Sequence, residues 1–236
     1  VACLAALPAI AGAACRQALA LGLDVSGSVD AAEYRLQVDG LAAALQDRQV
    51  QAAVLADPAH PVRIMVFEWS RQDHQARLVD WTEIRDARTL SAVAGELRRT
   101  GGARVSDPST AIGAAMLYGV AALREQGDCW QKTLDISGDG PANRGRHPGD
   151  IPAGATAGVT INGLVIGPGG RANTTKNLSN VKTMLGYYRA FVLRGPGSFA
   201  ETARDYSDFG AAMRRKLLRE LRPAAIARIR AATRPQ

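Results

Sequence analysis

Histidine is scarce in this chain, with three among 236 residues, and cysteine is no commoner. His60, His74 and His147 all fall in polar or proline-flanked stretches that read as solvated loops, and Gly-x-Ser-x-Gly is absent. A serine hydrolase built on a histidine base therefore finds no support. The phosphate-cradling Gly-x-x-x-x-Gly-Lys-Ser/Thr is missing too, and no Gly-x-Gly-x-x-Gly stands between a strand and a helix. Gly167-Pro168-Gly169-Gly170-Arg171 has the glycines to cradle a phosphate but reads as a plain loop. Beyond the first fourteen residues no apolar run approaches the length of a membrane span. Internal repeats and an interdomain linker are also lacking.

The length suits one sizeable α/β domain with a full core and is short for two. Hydrophobic residues make up 47% of it, ordinary for a globular chain and too many for a disordered one. The formal net charge of +7 suggests nucleic acid until its distribution is read. From Ala211 onward eight basic residues (Arg214, Arg215, Lys216, Arg219, Arg222, Arg228, Arg230, Arg234) face one acid, Glu220, which leaves residues 1–210 formally neutral. The basicity belongs to a terminal helix and tail, read as a solvated face and a frayed end, not to a nucleic-acid-binding body.

Val1 to Ala14 carry no charge and end in Ala11-Gly12-Ala13-Ala14. That composition reads as the hydrophobic part of a secretory signal with a small-residue cleavage site, the alternative being a buried N-terminal strand. The expectation is a signal remnant over 1–14, a folded domain over 15–222 and a basic tail over 223–236, in a periplasmic or secreted protein. Gly12, where a lipobox normally wants leucine, counts against a lipid anchor on Cys15.

Leu19 to Leu23 form an apolar run that reads as a strand buried on both faces. Asp30-Ala31-Ala32-Glu33 is a capping-box pattern, and Tyr34, Val38, Leu41 and Leu45 recur behind it at helical spacing. Residues 62–69 and about 76–81 read as strands whose connection is short enough for a hairpin and too short for a crossover. The second is then an antiparallel edge strand. A helix over 86–99 follows. Pro108 is placed for a first helical turn, and Ala111 to Arg124 is apolar nearly all round, hence buried. Strands over 132–137, 158–166 and 198–203, a weakly helical stretch near 176–190 and a terminal helix over about 206–221 complete the pattern. This alternation implies a doubly wound, mostly parallel six-stranded sheet with helices on both faces. Cys15 lies nine residues before Asp24, and Cys129 ten before Asp139. If the two strands are parallel neighbours in near-equal register, both cysteines meet at the far end of the sheet. A disulfide there fits an oxidising compartment, two buried free thiols being the alternative.

The first strand stops at Asp24-Val25-Ser26-Gly27-Ser28, which sets a carboxylate and two hydroxyls at alternate positions at one mouth of the fold. Ligands of doubly wound sheets sit beyond the carboxyl ends of strands, where strand order reverses. If the first strand neighbours the Lys132–Ser137 strand, Asp24, Ser26, Ser28 and Asp139 face one crevice. Thr110, in the first turn of a helix, reaches the same point. An oxygen-only set of this kind suits Mg²⁺, Ca²⁺ or Mn²⁺ rather than zinc. The bland alternative has both carboxylates capping helices and the serines satisfying backbone donors.

Gly22 to Asp30, Phe67-Glu68-Trp69-Ser70, Ser109 to Gly113, Asp135 to Asn143 and the helix from Phe209 to Glu220 together resemble von Willebrand factor A-like domains. They look like an exported bacterial branch filed as domain of unknown function 1194, over roughly residues 16–222. The resemblance implies a metal-ion-dependent adhesion site. Ser26 and Ser28 would ligate Mg²⁺ (or Mn²⁺ or Ca²⁺) directly, Thr110 directly or through water, while Asp24 and Asp139 hold coordinated waters and orient the serines. Neutral hydroxyls leave the cation poorly neutralised, so a protein or peptide partner's Asp or Glu can complete its shell. The sequence departs from the wider family at Gly138, where many relatives carry a threonine hydroxyl, and at Pro108-Ser109-Thr110, where Gly-Gly-Thr is usual. The expectation is a binding module and not an enzyme. Its rival is a Mg²⁺-dependent phosphatase with Asp24 as nucleophile. Phosphatases of the haloacid-dehalogenase type resemble Asp-x-Asp-x-Thr/Val, and Ser26 replaces the second, acid-supplying Asp. Trp69, at the metal end of the sheet, reads as core packing, with partner contact as the alternative.

Overall fold

A computed structural model describes residues 14–101, 109–168 and 175–222. The expected signal remnant and basic tail fall almost wholly outside them. Six strands, β1 (Gln17–Asp24), β2 (Val62–Trp69), β3 (Gln75–Ile84), β4 (Gln131–Gly138), β5 (Thr160–Ile166) and β6 (Ala200–Ala203), form one sheet in the order β3-β2-β1-β4-β5-β6. β3 runs antiparallel to β2, as its short connection requires, and every other pairing is parallel. The helices are α1 (Ala31–Gln46), α2 (Arg48–Val54), α3 (Ala87–Arg99), α4 (Ile112–Arg124), α5 (Thr175–Tyr187) and α6 (Phe209–Glu220). None among the described residues is long and apolar enough to cross a membrane.

All eight residues of β1 are buried, because a central parallel strand is covered on both faces and must be apolar on both. Leu19, Leu21 and Leu23 pack with α1, α3 and α6, whereas Ala18 and Ala20 pack with α4 and the Met184–Val192 segment. Asp30 accepts from the Ala32 and Glu33 amides at 2.7 and 2.8 Å, and Glu33 Oε2 accepts from the Asp30 N–H at 3.0 Å. This capping box starts α1 three residues after Ser28 and so fixes the end of the loop between β1 and α1.

β1 and β4 pair with Gln17 opposite Gln131. Cys15 and Cys129 share that same offset of 114 residues and are joined by a disulfide, with their Cα atoms 4.3 Å apart. The expected bridge at the far end of the sheet is therefore present.

Several local expectations change. α2 was not anticipated; Asp47 caps it by accepting from the Gln49 and Val50 amides. The terminal helix starts at Phe209 instead of about 206, because Asp205 caps a separate turn over Tyr206–Asp208. Lys216 is fully buried, which corrects the reading of the basic stretch as wholly solvated. Its Nζ lies 2.8 Å from Asp135 Oδ2 and also pairs with Glu220, since a carboxylate inside β4 needs a cation beside it. Trp69 is fully buried and belongs to the core, so it offers nothing to a partner.

A candidate metal site at the switch point

The chain leaves β1 toward β2 on one side, while β4 leads to β5 on the other, so strand order reverses between β1 and β4. Asp24 is the last residue of β1 and is fully buried. Its Oδ1 accepts the Ser26 N–H at 2.8 Å, and Val25 N–H donates to the Trp69 carbonyl, extending the β1–β2 ladder by one residue. Gln37 of α1 anchors the Asp24 carbonyl at 2.9 Å. The turn so formed brings the Ser26 and Ser28 hydroxyls to 3.3 Å. Ser28 Oγ then donates to Asp139 Oδ1 at 3.0 Å, across 111 residues of sequence. Asp139 is the first residue after β4. Ser26 is buried and Ser28 exposed, so the cluster opens on the side of Ser28 and Asp139.

Four of the five sequence-derived residues are thus joined in one run of hydrogen bonds. Thr110 is held beside the loop after β4 by backbone tethers. Its N–H donates to Asn143 Oδ1 at 2.8 Å and its carbonyl accepts the Asn143 N–H at 3.0 Å. Ala111 N–H donates to the Ser70 carbonyl at 2.7 Å. These tethers hold residues 110 and 111 between the loops after β4 and β2 and out of helical conformation. α4 accordingly begins at Ile112 with Ala111 as its N-cap, and Thr110 precedes the first helical turn instead of lying in it.

The donors are two carboxylates and three hydroxyls. Among the described residues no group of three or more His, Cys, Asp or Glu side chains is placed to hold a metal, so any cation here depends on the hydroxyls. Asp24 Oδ2 is buried without a hydrogen-bond partner. Burial first, and then the Asp139 charge, push the Asp24 carboxyl up to about 7, with hydrogen bonds from Ser26 and the Asp139 backbone opposing. A bare buried carboxylate oxygen beside a second carboxylate is costly for protein groups alone. A hard cation and its waters satisfy it, and the residues therefore fit Mg²⁺ or a similar ion.

Three contributors escaped the sequence. Asn143 fixes Thr110 as described. Tyr206, in the turn before α6, donates to Asp139 Oδ2 at 3.0 Å; burial, followed by the charges of Asp139 and Asp24, raises its phenol far above the tyrosine range. Tyr188 opens a π-helical turn over Tyr188–Val192 and is fully buried. A Cβ placed on Gly138 would meet the Tyr188 hydroxyl at 2.7 Å and Asp24 Oδ2 at 3.1 Å. The space above Gly138 is thus occupied by a phenol, not left open. The histidines also differ from solvated loop residues. His147 Nε2 lies 3.2 Å from the Tyr187 hydroxyl, with its ring edge-on to Phe191, and His74 is largely buried beside Glu68.

Residues 14–225 match the family described as Protein of unknown function (DUF1194). The chain belongs to that family. No curated protein matches it. Solved structures share the fold. Proximal thread matrix protein 1 from the mussel byssus, with a zinc-occupied MIDAS motif, is 16% identical at a TM-score of 0.57, covering 88% of this chain and 48% of its own. A von Willebrand factor type A protein from Catenulispora acidiphila gives 14% and 0.57, covering 88% of this chain and 43% of its own. The vWF domain of the type V pili tip protein Mfa5 from Porphyromonas gingivalis gives 12% and 0.54, covering 95% of this chain and 98% of its own. The chain spans less than half the length of the first two. The fold is that of a von Willebrand factor A domain, and zinc in the mussel protein's motif means that the fold alone does not exclude that ion.

Proposed function

We propose that this family member is an exported protein- or peptide-binding module that works through a divalent cation. Ser26, Ser28 and Thr110 hold the ion, and Asp24 and Asp139 orient its waters. The bound ion supplies an electrophilic position that a partner's Asp or Glu completes. The observation that carries this reading is the Ser26–Ser28–Asp139 run of hydrogen bonds ending beside the unpartnered Asp24 oxygen. The Cys15–Cys129 bridge supports an oxidising compartment such as the periplasm or the exterior. Against the phosphatase reading, Asp24 is fully buried and its Oδ1 is already engaged, which is poor placement for a nucleophile.

The test is fluorescence polarisation with labelled peptides that present Asp or Glu, each matched to its Asn or Gln counterpart, in Mg²⁺ and in chelator. Binding confined to acidic peptides with Mg²⁺, and abolished in Asp139→Ala, is expected. Metal-independent binding would overturn the reading, as would Mg²⁺-dependent hydrolysis of a generic phosphoester that Asp24→Asn abolishes.

A further inference from the structure

The Tyr188 hydroxyl is buried without a hydrogen-bond partner, and so is Asp24 Oδ2. Both lie within 3.1 Å of one point, the position a Cβ on Gly138 would take. One is a donor lacking an acceptor and the other an acceptor lacking a donor, beside the same glycine. Considerable structure is committed to this placement. Gly163, opposite Ile136 in the β4–β5 pairing, would put a Cβ 2.4 Å from Tyr188 Cδ1. Gly138 and Gly163 together form a trough across two strands in which the ring lies. Glycine inside a strand weakens it, and a π-helical turn is an uncommon irregularity concentrated at functional sites. Core packing alone would be served as well by phenylalanine, without an unpaired hydroxyl.

Resting on the metal-binding reading above, we infer that Tyr188 is a positioning residue for the cation site. Its hydroxyl donates to Asp24 Oδ2, directly or through one water, when the ion is bound, from the place a side chain at 138 would fill. Asp24 in turn holds the waters of the ion, and a carboxylate fixed from behind holds them in one orientation. Tyr188 touches neither the ion nor the partner.

Calorimetric titration with Mn²⁺ tests this on the full chain in three forms: wild type, Tyr188→Phe, and Tyr188→Phe combined with Gly138→Ser. Losing a hydrogen bond to a charged group weakens binding by about tenfold in Tyr188→Phe. Serine at 138 restores a hydroxyl to the space the phenol oxygen vacates and returns affinity to within about threefold of wild type. Melting in chelator is the second readout. Removing an unpaired hydroxyl leaves the metal-free protein as stable as before or more so, whereas a purely structural Tyr188 would lower the midpoint. Wild-type affinity in Tyr188→Phe overturns the inference and leaves the metal site standing. A weakened double variant with a lowered midpoint overturns it as well. No Mn²⁺ binding by the wild type overturns both.

Discussion

Replacing Cys15 and Cys129 together by alanine tests what the bridge contributes and whether the two ends of the sheet act independently. The bridge closes 114 residues, and the loss of loop-closure entropy from the unfolded chain for that length comes to about 5 kcal/mol at 25 °C. Both cysteines are buried, so deleting two sulfur atoms adds about 1 kcal/mol of lost packing. At about 2–4 °C per kcal/mol for a domain of this size, the midpoint should fall by about 12–24 °C. Urea unfolding followed by circular dichroism, with thermal melts beside it, measures both quantities. The bridge sits at the amino ends of β1 and β4 and the candidate site at their carboxyl ends, so cation affinity should not change. A stability loss below about 1 kcal/mol would refute the chain-entropy reasoning. A parallel loss of cation binding would show that the two ends of the sheet do not act independently.

Tyr206→Phe removes the donor to Asp139 Oδ2, and Mg²⁺ affinity measured by titration should drop about tenfold with the fold intact. Gly113→Ala would bring a Cβ to 2.1 Å from the Arg146 carbonyl oxygen; urea unfolding should show a loss of about 1–3 kcal/mol, and an unchanged midpoint would contradict the packing of α4 against that loop. Burial pushes Asp135 up to about 7, with Lys216 opposing and Glu220 adding to the rise. Between about pH 4 and 7 the folded chain keeps a proton that the unfolded chain has lost, so this group's contribution to stability falls as pH rises through that window, by about 4 kcal/mol at most. Asp135→Asn should flatten that part of the slope in urea titrations run from pH 4.5 to 8, and an identical slope in the variant would contradict the assignment.

What the sequence revealed and what it hid divide along physical lines. The buried run of β1, the capping box at Asp30 and the near-equal offsets of the two cysteines from Asp24 and Asp139 are local or arithmetic signals, and β1, α1 and the bridge follow them. The alternation of elements gave a doubly wound sheet with a switch point, but the adjacency of the first strand and the Lys132–Ser137 strand was only a condition, which the β1–β4 pairing meets. Thr110 stands beside the loop after β4, outside the first helical turn in which the sequence placed it. A proline four residues before α4 suggested a helical turn, and the tethers to Asn143 and Ser70 that prevent one are tertiary. Tyr188 and Tyr206 were invisible because a tyrosine near the end of a helix, or just before one, carries no mark of what its hydroxyl faces across the fold. The burial of Lys216 did have a signal. Asp135 stands between Leu134 and Ile136 in an apolar strand, and a carboxylate so placed requires a cationic partner.

The central claim is that these oxygens hold a divalent cation, and isothermal titration of the chelator-treated protein with Mg²⁺ tests it most directly, with Asp24→Ala alongside. A single saturable site in the wild type, lost in the variant, is the predicted result. A wild type that gives no heat, or an Asp24→Ala protein that binds as tightly, would contradict it.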